Sequence, residues 1–337
     1  KEGGLMKKKI LFILLVGVFL LSGCGKTSES SIIKDLEKKI NNSKSYYIEG
    51  TLEIVNNEDL YTYDVKVSYA KGDNYKVNLT NKVNNHEQVI LRNSDGVYVV
   101  TPRINKSFKF QSEWPYNNSQ VYLLQSIVDD IKDDEGKKFQ EKGKFYVITS
   151  KVNYPNNRKL SKQVVYVDKN YNIKEVQVLD DSNNLQIKMV FDKIDMKATF
   201  KDNYFDLNEN INASADTSEL KEVTKIEDII YPMYLPLNTH LTSKDTVTKE
   251  DGERLILTFE GDSPFVLIEE TAKMEDSHVI VPTYGEPELL VDTVASISDN
   301  SVNWVSNGIE YYVISDVTST SELLQVARSI STIPVSK

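Results

Sequence analysis

The chain has 337 residues, of which 40% are hydrophobic and 27% are charged, a composition typical of a globular protein. Its net charge of −10 is distributed unevenly, with +6 over residues 1–204 and −16 over residues 205–337. The acidic distal part argues against nucleic acid as a partner. Cys24 is the only cysteine, so a disulfide framework is excluded.

An export signal lies at the start of the chain. Met6–Lys9 is a basic stretch, and Ile10–Leu21 is an apolar run of 12 residues, too short to span a bilayer but suitable for a signal peptide. Leu21, Ser22, Gly23 and Cys24 follow and resemble the lipobox of bacterial lipoproteins. The resemblance implies that the Cys24 thiol is lipidated and that the chain is cleaved before it. An ordinary secretory signal is the alternative, but it would end in an A-x-A pattern that is absent here.

Lipid on Cys24 would fix the location of the protein. Two or three acyl chains make a stable anchor where one chain would not. We therefore expect the protein to be held by Cys24 on the outer face of the cytoplasmic membrane, with the spore envelope as a further location. Residues 1–23 are predicted to be leader and signal peptide, with residues 1–5 an untranslated leader, and residues 24–29 to be a tether.

The next part of the chain predicts one helix followed by antiparallel strands. Ile32, Leu36 and Ile40 fall on one face of a helix over Ser30–Ile40. Apolar residues then alternate with polar ones, as in half-buried strands, and turn residues separate the runs. A second helix is predicted from Ser119 to Asp133, where it would cover the sheet.

A polar, acidic segment at residues 208–225 is interpreted as a linker between residues 30–207 and a second domain at residues 226–337. Strands are predicted in the second domain at these four runs: Arg254–Glu260, Phe265–Glu270, Leu289–Val294 and Glu310–Ser315. A final helix is predicted over Ser321–Ile330, preceded by a capping box from Ser319 to Glu322. The predicted fold class is α+β, with a strongly curved antiparallel sheet, covering helices and a smaller C-terminal α+β domain.

Little in the sequence points to catalysis. The three histidines, His86, His240 and His278, lack the spacing of a zinc site, and nucleotide-binding and hydrolase signatures are absent. The acidic pairs Asp129-Asp130, Asp133-Asp134 and Glu269-Glu270 match no calcium loop, and we interpret them as solvated surface carboxylates. We expect no metal, no cofactor and no enzymatic activity.

The curved sheet has an apolar face that encloses either a packed core or a hydrophobic groove. The sequence leaves both alternatives open. The candidate groove residues are Ile48, Leu52, Tyr63, Val65, Val67, Leu185, Ile187 and Met189.

Three segments in order carry a family resemblance: "NNSKSYYIEGTLEI" at 41–54, "VVYVDKNYNIKEVQVLDDSNNLQIKMVFDKI" at 164–194 and "FKDNYFDLN" at 200–208. With the lipobox they resemble the LolA/LolB/RseB-like lipoprotein superfamily, over about residues 30–207. The whole is most similar to the clostridial germination lipoprotein GerS and related sporulation lipoproteins. The resemblance implies a LolA-like open half-barrel and a non-catalytic role in germination, through binding and support of a cortex-modifying amidase of the CwlD type.

Other functions remain open at this point. A lipid- or acyl-chain-binding carrier would use the groove and bind a lipid ligand, as LolA does. An RseB-like envelope sensor or regulator would also pair a LolA-like domain with a smaller one. An undetected hydrolase is the fourth hypothesis.

Overall fold

The computed structural model describes residues 28–56, 59–83, 85–213, 223–273, 275, 277–290 and 293–330. Within these residues the chain forms two β-sheets of 12 and 7 strands, with four α-helices and one short 3-10 helix at Pro102–Ile104. The predicted α+β fold class is confirmed.

The first sheet is almost entirely antiparallel. Its strands are β1 (Ser45–Asn56), β2 (Asp59–Ala70), β3 (Asn74–Asn81), β4 (Glu87–Asn93), β5 (Gly96–Thr101), β6 (Lys106–Phe110), β7 (Lys138–Lys142), β8 (Phe145–Lys151), β9 (Leu160–Asp168), β10 (Ile173–Asp180), β11 (Leu185–Asp195) and the later β15 (Val279–Thr283). The order is β15-β6-β5-β4-β3-β2-β1-β11-β10-β9-β8-β7, so β15 and β7 are the two edges of an open sheet.

Two helices cover one face of this sheet, α1 (Glu29–Asn41) and α2 (Leu124–Asp133). Side chains at alternate positions of β1 and β2 point to that face, because strand residues alternate between faces. They form one buried cluster with Leu36 of α1 and Ile127 of α2. Each large apolar side chain buried there contributes about 1.5–3 kcal/mol to the free energy of unfolding.

β15 comes from the distal part of the chain and pairs with β6 in parallel, Val279 opposite Lys106 and Thr283 opposite Phe110. The Val279 N–H donates to the Asn105 carbonyl (2.9 Å), and the Thr283 carbonyl accepts from the Gln111 N–H (3.3 Å). Because backbone groups of alternate residues point to opposite sides, Pro282 turns its missing N–H to the open edge. This placement is the one that a sheet tolerates for proline.

The second sheet contains the remaining strands, in the order β12-β13-β14-β19-β18-β17-β16. They are β12 (His240–Lys249), β13 (Gly252–Glu260), β14 (Phe265–Thr271), β16 (Glu286–Leu289), β17 (Val294–Ile297), β18 (Ser301–Ser306) and β19 (Ile309–Ile314). Helix α4 (Thr320–Arg328) packs on its core, and so does a covering segment, defined here as residues 223–235.

Polar contacts join the two sheets beyond β15. Lys106 and Glu310 form a largely buried ion pair (2.9 Å), and the Val294 N–H donates to Gln88 Oε1 (2.6 Å) across the junction. The Asn56 side-chain amide of β1 donates to the Arg328 carbonyl at the end of α4 (2.8 Å). The sheets are therefore fastened to each other at several separate points.

The predicted helices at each end of the chain are confirmed. α1 begins after Ser28, whose hydroxyl accepts from the Ser31 N–H (3.3 Å). α4 begins after Ser319, whose hydroxyl accepts from the Glu322 N–H (3.4 Å), as the capping box predicts.

Two predictions of element bounds were wrong. Leu289–Val294 was predicted as one strand, but Leu289 ends β16 and Val294 begins β17, and the Leu290 N–H donates to the Thr293 carbonyl (2.8 Å). The helix predicted from Ser119 begins only at Leu124, because the Ser119 N–H donates to the Asn153 carbonyl (2.8 Å). A helix α3 (Leu207–Ala213) also stands at the start of the segment interpreted as a linker.

Candidate functional site

A cavity of about 270 Å³ lies where the first sheet meets the distal part of the chain, and we call it the inter-sheet cavity. The first sheet contributes the ends of β1 and β11 and a residue of β4. The segment 118–122 and the loop 154–160 form its sides, and β16 and α4 close it from the distal part. The cavity exists only because elements far apart in sequence meet.

One wall of the inter-sheet cavity is apolar. Ile54 of β1, Ile90 of β4 and Ile187 of β11 line it, together with Leu160 and Leu289. These side chains offer no hydrogen bond to a bound group, so this wall favours a hydrocarbon surface.

The polar part of the lining, here called the polar wall, is a series of hydrogen bonds. The Tyr122 hydroxyl donates to Gln120 Oε1 (2.6 Å), and Gln120 Nε2 donates to Asn118 Oδ1. Asn118 Nδ2 donates to Glu288 Oε2 (3.4 Å), and Arg328 Nη2 donates to Glu288 Oε1 (3.1 Å). These side chains, apart from Arg328, are less than one-tenth exposed. These hydrogen bonds connect the segment 118–122 to β16 of the second sheet and to α4.

The Glu288–Arg328 ion pair is the charged centre of this wall. Burial raises the pKa of Glu288, against which the Arg328 guanidinium acts to lower it. Burial also lowers the pKa of Arg328, while Glu288 raises it, and an arginine keeps its charge under all ordinary conditions. A buried pair of this kind adds little net stability, but removing one partner strands the other charge and costs about 3–5 kcal/mol.

Ser119 holds the polar wall in place. Its hydroxyl donates to Asp130 Oδ1 on α2 (2.9 Å) and accepts from the Asn153 N–H (2.7 Å). Burial raises the pKa of Asp130 to about 7, against the lowering effect of the Ser119 hydrogen bond. The segment is thus fixed between α2 and the loop after β8.

The eight candidate groove residues do not come together around this cavity. Six of them, which are Ile48, Leu52, Tyr63, Val65, Val67 and Met189, are at most 2% exposed and belong to the packed core under α1 and α2. Leu185 is exposed on β11, and only Ile187 lines the inter-sheet cavity. At these six positions the side chains are packed against other core residues and do not line an open groove.

The lipobox residues Leu21, Ser22, Gly23 and Cys24 lie outside the described residues. In the described ranges, no group of three or more His, Cys, Asp or Glu side chains is placed to hold a metal ion. Every helix in that same part of the chain is too short or too polar to cross a membrane.

The interpretation of the acidic pairs as solvated was wrong for Asp134 and Glu269, and also for Asp130, which is half-buried and accepts the Ser119 hydrogen bond. Asp134 is buried and accepts hydrogen bonds from the Gly136 and Lys151 N–H groups (both 2.9 Å). Glu269 is fully buried on β14 and accepts from the Ile230 N–H (3.1 Å) of the covering segment. Their neighbours differ, because Asp133 is exposed at the end of α2 and Glu270 points to the opposite face of β14, so adjacency in sequence did not indicate a shared environment.

The polar residues of the cavity were not predicted from the sequence. Asn118 and Glu288 are 170 residues apart, and Arg328 is a further 40 residues along. Arg328 is the one basic residue of α4, which ends an acidic part of the chain, and this contrast was the available signal.

Comparison with known proteins places the chain in a family. The family model described as "Sporulation protein YdcC-like" matches residues 6–205. The chain belongs to the YdcC-like family of sporulation proteins. The sporulation protein YdcC of Bacillus subtilis (strain 168) is 33% identical over 329 residues, covering 96% of this chain and 97% of that protein. The resemblance to sporulation lipoproteins is thereby confirmed at the level of a sporulation family.

Solved structures similar to this YdcC-like chain are more distant. The crystal structure of MucB has a TM-score of 0.36 and 11% identity, covering 91% of this chain and 98% of MucB. A LolA superfamily protein from Nitrosomonas europaea has a TM-score of 0.31 and 11% identity, covering 53% and 98%. A chain from the structure of the Clostridioides difficile CwlD amidase in complex with the GerS lipoprotein has a TM-score of 0.19 and 19% identity, covering 52% and 95%.

Proposed function

We propose that this YdcC-like protein is a lipid-anchored, non-catalytic binding protein of the sporulating cell envelope. It acts in germination by binding and supporting a cortex-modifying amidase of the CwlD type. The observation that carries the proposal is the lipobox at Leu21–Cys24 in a chain that belongs to a family of sporulation proteins.

The proposed anchor limits where a partner can be bound. Helix α1 starts at Glu29, five residues after Cys24. A fully extended chain spans at most about 3.5 Å per residue, so the folded part begins no more than about 18 Å from the lipidated residue. A protein held this close to the membrane is suited to retaining a partner at the surface.

A non-catalytic role agrees with the placement of the candidate nucleophiles and bases. His278 Nε2 lies 2.9 Å from Ser107 Oγ, which is a distance that a serine nucleophile and its base would show. Ser107 is fully buried in β6, which is paired with β15, so a substrate has no access to its hydroxyl. We interpret this contact as a fastening between the two strands.

The amidase partner is carried over from the sequence resemblance to GerS-type lipoproteins. Binding of a cell-wall amidase can be tested by chemical cross-linking and affinity capture from sporulating cells that express the tagged chain. We expect an amidase of the CwlD type among the captured proteins. The matched control is a Cys24→Ser chain, which lacks the anchor and should recover less of the amidase. Capture of anti-sigma components without any cell-wall hydrolase would contradict the proposal and favour the RseB-like regulator.

The carrier hypothesis receives less support from the fold. An apolar cavity of about 150 Å³ holds benzene, so a bound group needs about 25 Å³ for each non-hydrogen atom, and 270 Å³ holds about eleven of them. A long acyl chain of a lipoprotein has more atoms than this volume holds. We therefore do not propose a lipid-carrier function.

A further inference from the structure

The inter-sheet cavity contains a cation with donors to spare. Arg328 has five N–H donors, and among the described residues only Nη2 makes a hydrogen bond, to Glu288. A guanidinium with free donors beside a partly open cavity is suited to a planar carboxylate, which it binds with two parallel hydrogen bonds.

The space next to Arg328 is suited to a short hydrocarbon chain. Ile54, Leu160 and Ile187 contribute apolar side chains to its lining, and the volume of about 270 Å³ limits a bound group to about eleven non-hydrogen atoms. The cavity therefore combines one charged end with one short apolar end.

We propose that the inter-sheet cavity binds a small amphiphilic anion, a carboxylate with a chain of about six to eight carbons, with its head on Arg328 and its tail against Ile187. This site is independent of the proposed amidase partner, because it requires neither the anchor nor a second protein. Since its walls come from both sheets, an occupant would also fasten them together.

Binding of the anion is coupled to a proton. Glu288 already balances the charge of Arg328, so a second carboxylate is repelled unless Glu288 becomes neutral. Burial raises the pKa of Glu288 and so favours the neutral acid. The titratable groups that line the cavity with it are Arg328 on α4, Tyr122, Tyr154, Lys159 and Tyr234 of the covering segment.

Tyr122 and Tyr154 keep their protons near neutral pH, because burial raises the pKa of both phenols. Asp130 also acts on Tyr154 from α2, and its own pKa is raised to about 7 by burial. The Glu288→Gln variant separates the effect of Asp130 on the pH dependence of binding from that of Glu288.

The experiment is isothermal titration calorimetry of the purified chain with sodium octanoate between pH 5.5 and pH 8. The chain carries Cys24→Ser so that no acyl group of its own is present. We expect one saturable site that binds octanoate at least about tenfold more tightly than octanol, since octanol lacks the charge. Uptake of one proton predicts an affinity that falls as pH rises, by at most about tenfold per pH unit.

Four variants identify the site. Arg328→Gln should weaken octanoate binding at least about tenfold, while Arg254→Gln, which removes an arginine elsewhere on the second sheet, should leave it unchanged. Ile187→Trp should abolish binding by filling the cavity, and Glu288→Gln should bind without pH dependence.

Two results would overturn the proposal. The first is the absence of saturable octanoate binding, and the second is binding that Ile187→Trp leaves unchanged. Should Arg328→Gln fail to fold, the comparison of octanoate with octanol on the unaltered chain still tests the role of the charge.

Discussion

Glu269 is a carboxylate whose burial makes the stability of the second sheet depend on pH. Its side chain lies on the core face of β14, where Ile230 N–H donates to one oxygen (3.1 Å). The other oxygen has no hydrogen-bond partner among the described residues. Burial raises the pKa of Glu269 from 4.5 to about 7, against the lowering effect of the Ile230 hydrogen bond. The covering segment is therefore held by a group that prefers to be protonated.

The size of the effect follows from the two pKa values. Because the folded state holds the proton more tightly than the unfolded state, its contribution to stability is complete below pH 4.5 and is lost as pH rises through 7. At about 1.4 kcal/mol for each pH unit between the two values, and allowing for partial solvent screening, ionisation costs about 2–3 kcal/mol. Glu269→Gln keeps an acceptor for the Ile230 N–H and removes the ionisation.

Urea denaturation of the unaltered chain and of Glu269→Gln at pH 5 and at pH 8 measures this cost. We expect the variant to gain about 2–3 kcal/mol relative to the unaltered chain between the two pH values. Other groups that titrate in this range, such as Asp130, cancel in the difference because they are distant from the changed site. Glu260→Gln, at an exposed position of β13, is the control and should change stability by less than about 0.5 kcal/mol. An equal difference between Glu269→Gln and the unaltered chain at both pH values would refute the reasoning.

Three further predictions concern the core, the first sheet and the anchor. Leu52→Ala should lower the free energy of unfolding by about 2–5 kcal/mol in urea denaturation, because Leu52 is fully buried, whereas Leu60→Ala at a largely exposed position should cost less than about 0.5 kcal/mol; equal costs would argue for an open groove at Leu52. Gly50→Ala should lower the free energy of unfolding by about 1–3 kcal/mol or more in thermal denaturation, since its Cβ would lie 2.2 Å from the Val190 carbonyl oxygen of β11. Gly136→Ala is the control and should cost less, because its Cβ would have no atom nearer than 3.3 Å. Cys24→Ser should move the protein from the membrane to the soluble fraction of secreted material, as measured by fractionation and immunoblotting, and an unchanged membrane fraction would count against lipidation.

The strands that sequence reasoning found are those with one buried face. Tyr63, Val65 and Val67 alternate with polar residues on β2 because only one side of that strand meets α1 and α2. β12 was missed because nearly all of its side chains are exposed on both faces, which leaves no alternation to detect. A hydrophobic pattern reports burial on one side and is silent where neither side is covered.

Long-range pairing explains the other misses. β15 is a run of five residues with a proline, and its partner β6 lies more than 170 residues earlier. The same limit applies to the site, because Asn118, Glu288 and Arg328 meet only after both sheets have formed. Local patterns predicted the apolar face of the sheet and both helices, but they did not show that the helices fill the space above the candidate groove residues.

The pairing of β15, a strand of the distal part, with β6 of the first sheet has a mechanical consequence. The proposed anchor on Cys24 would pull on α1 and β1, whereas a load on the distal part would pull on the second sheet. The tension between them passes through the β15–β6 ladder, which runs alongside the Lys106–Glu310 ion pair. Separating the two sheets therefore requires breaking the pairing between β15 and β6. The protein is thus expected to transmit force between the sheets as one rigid unit.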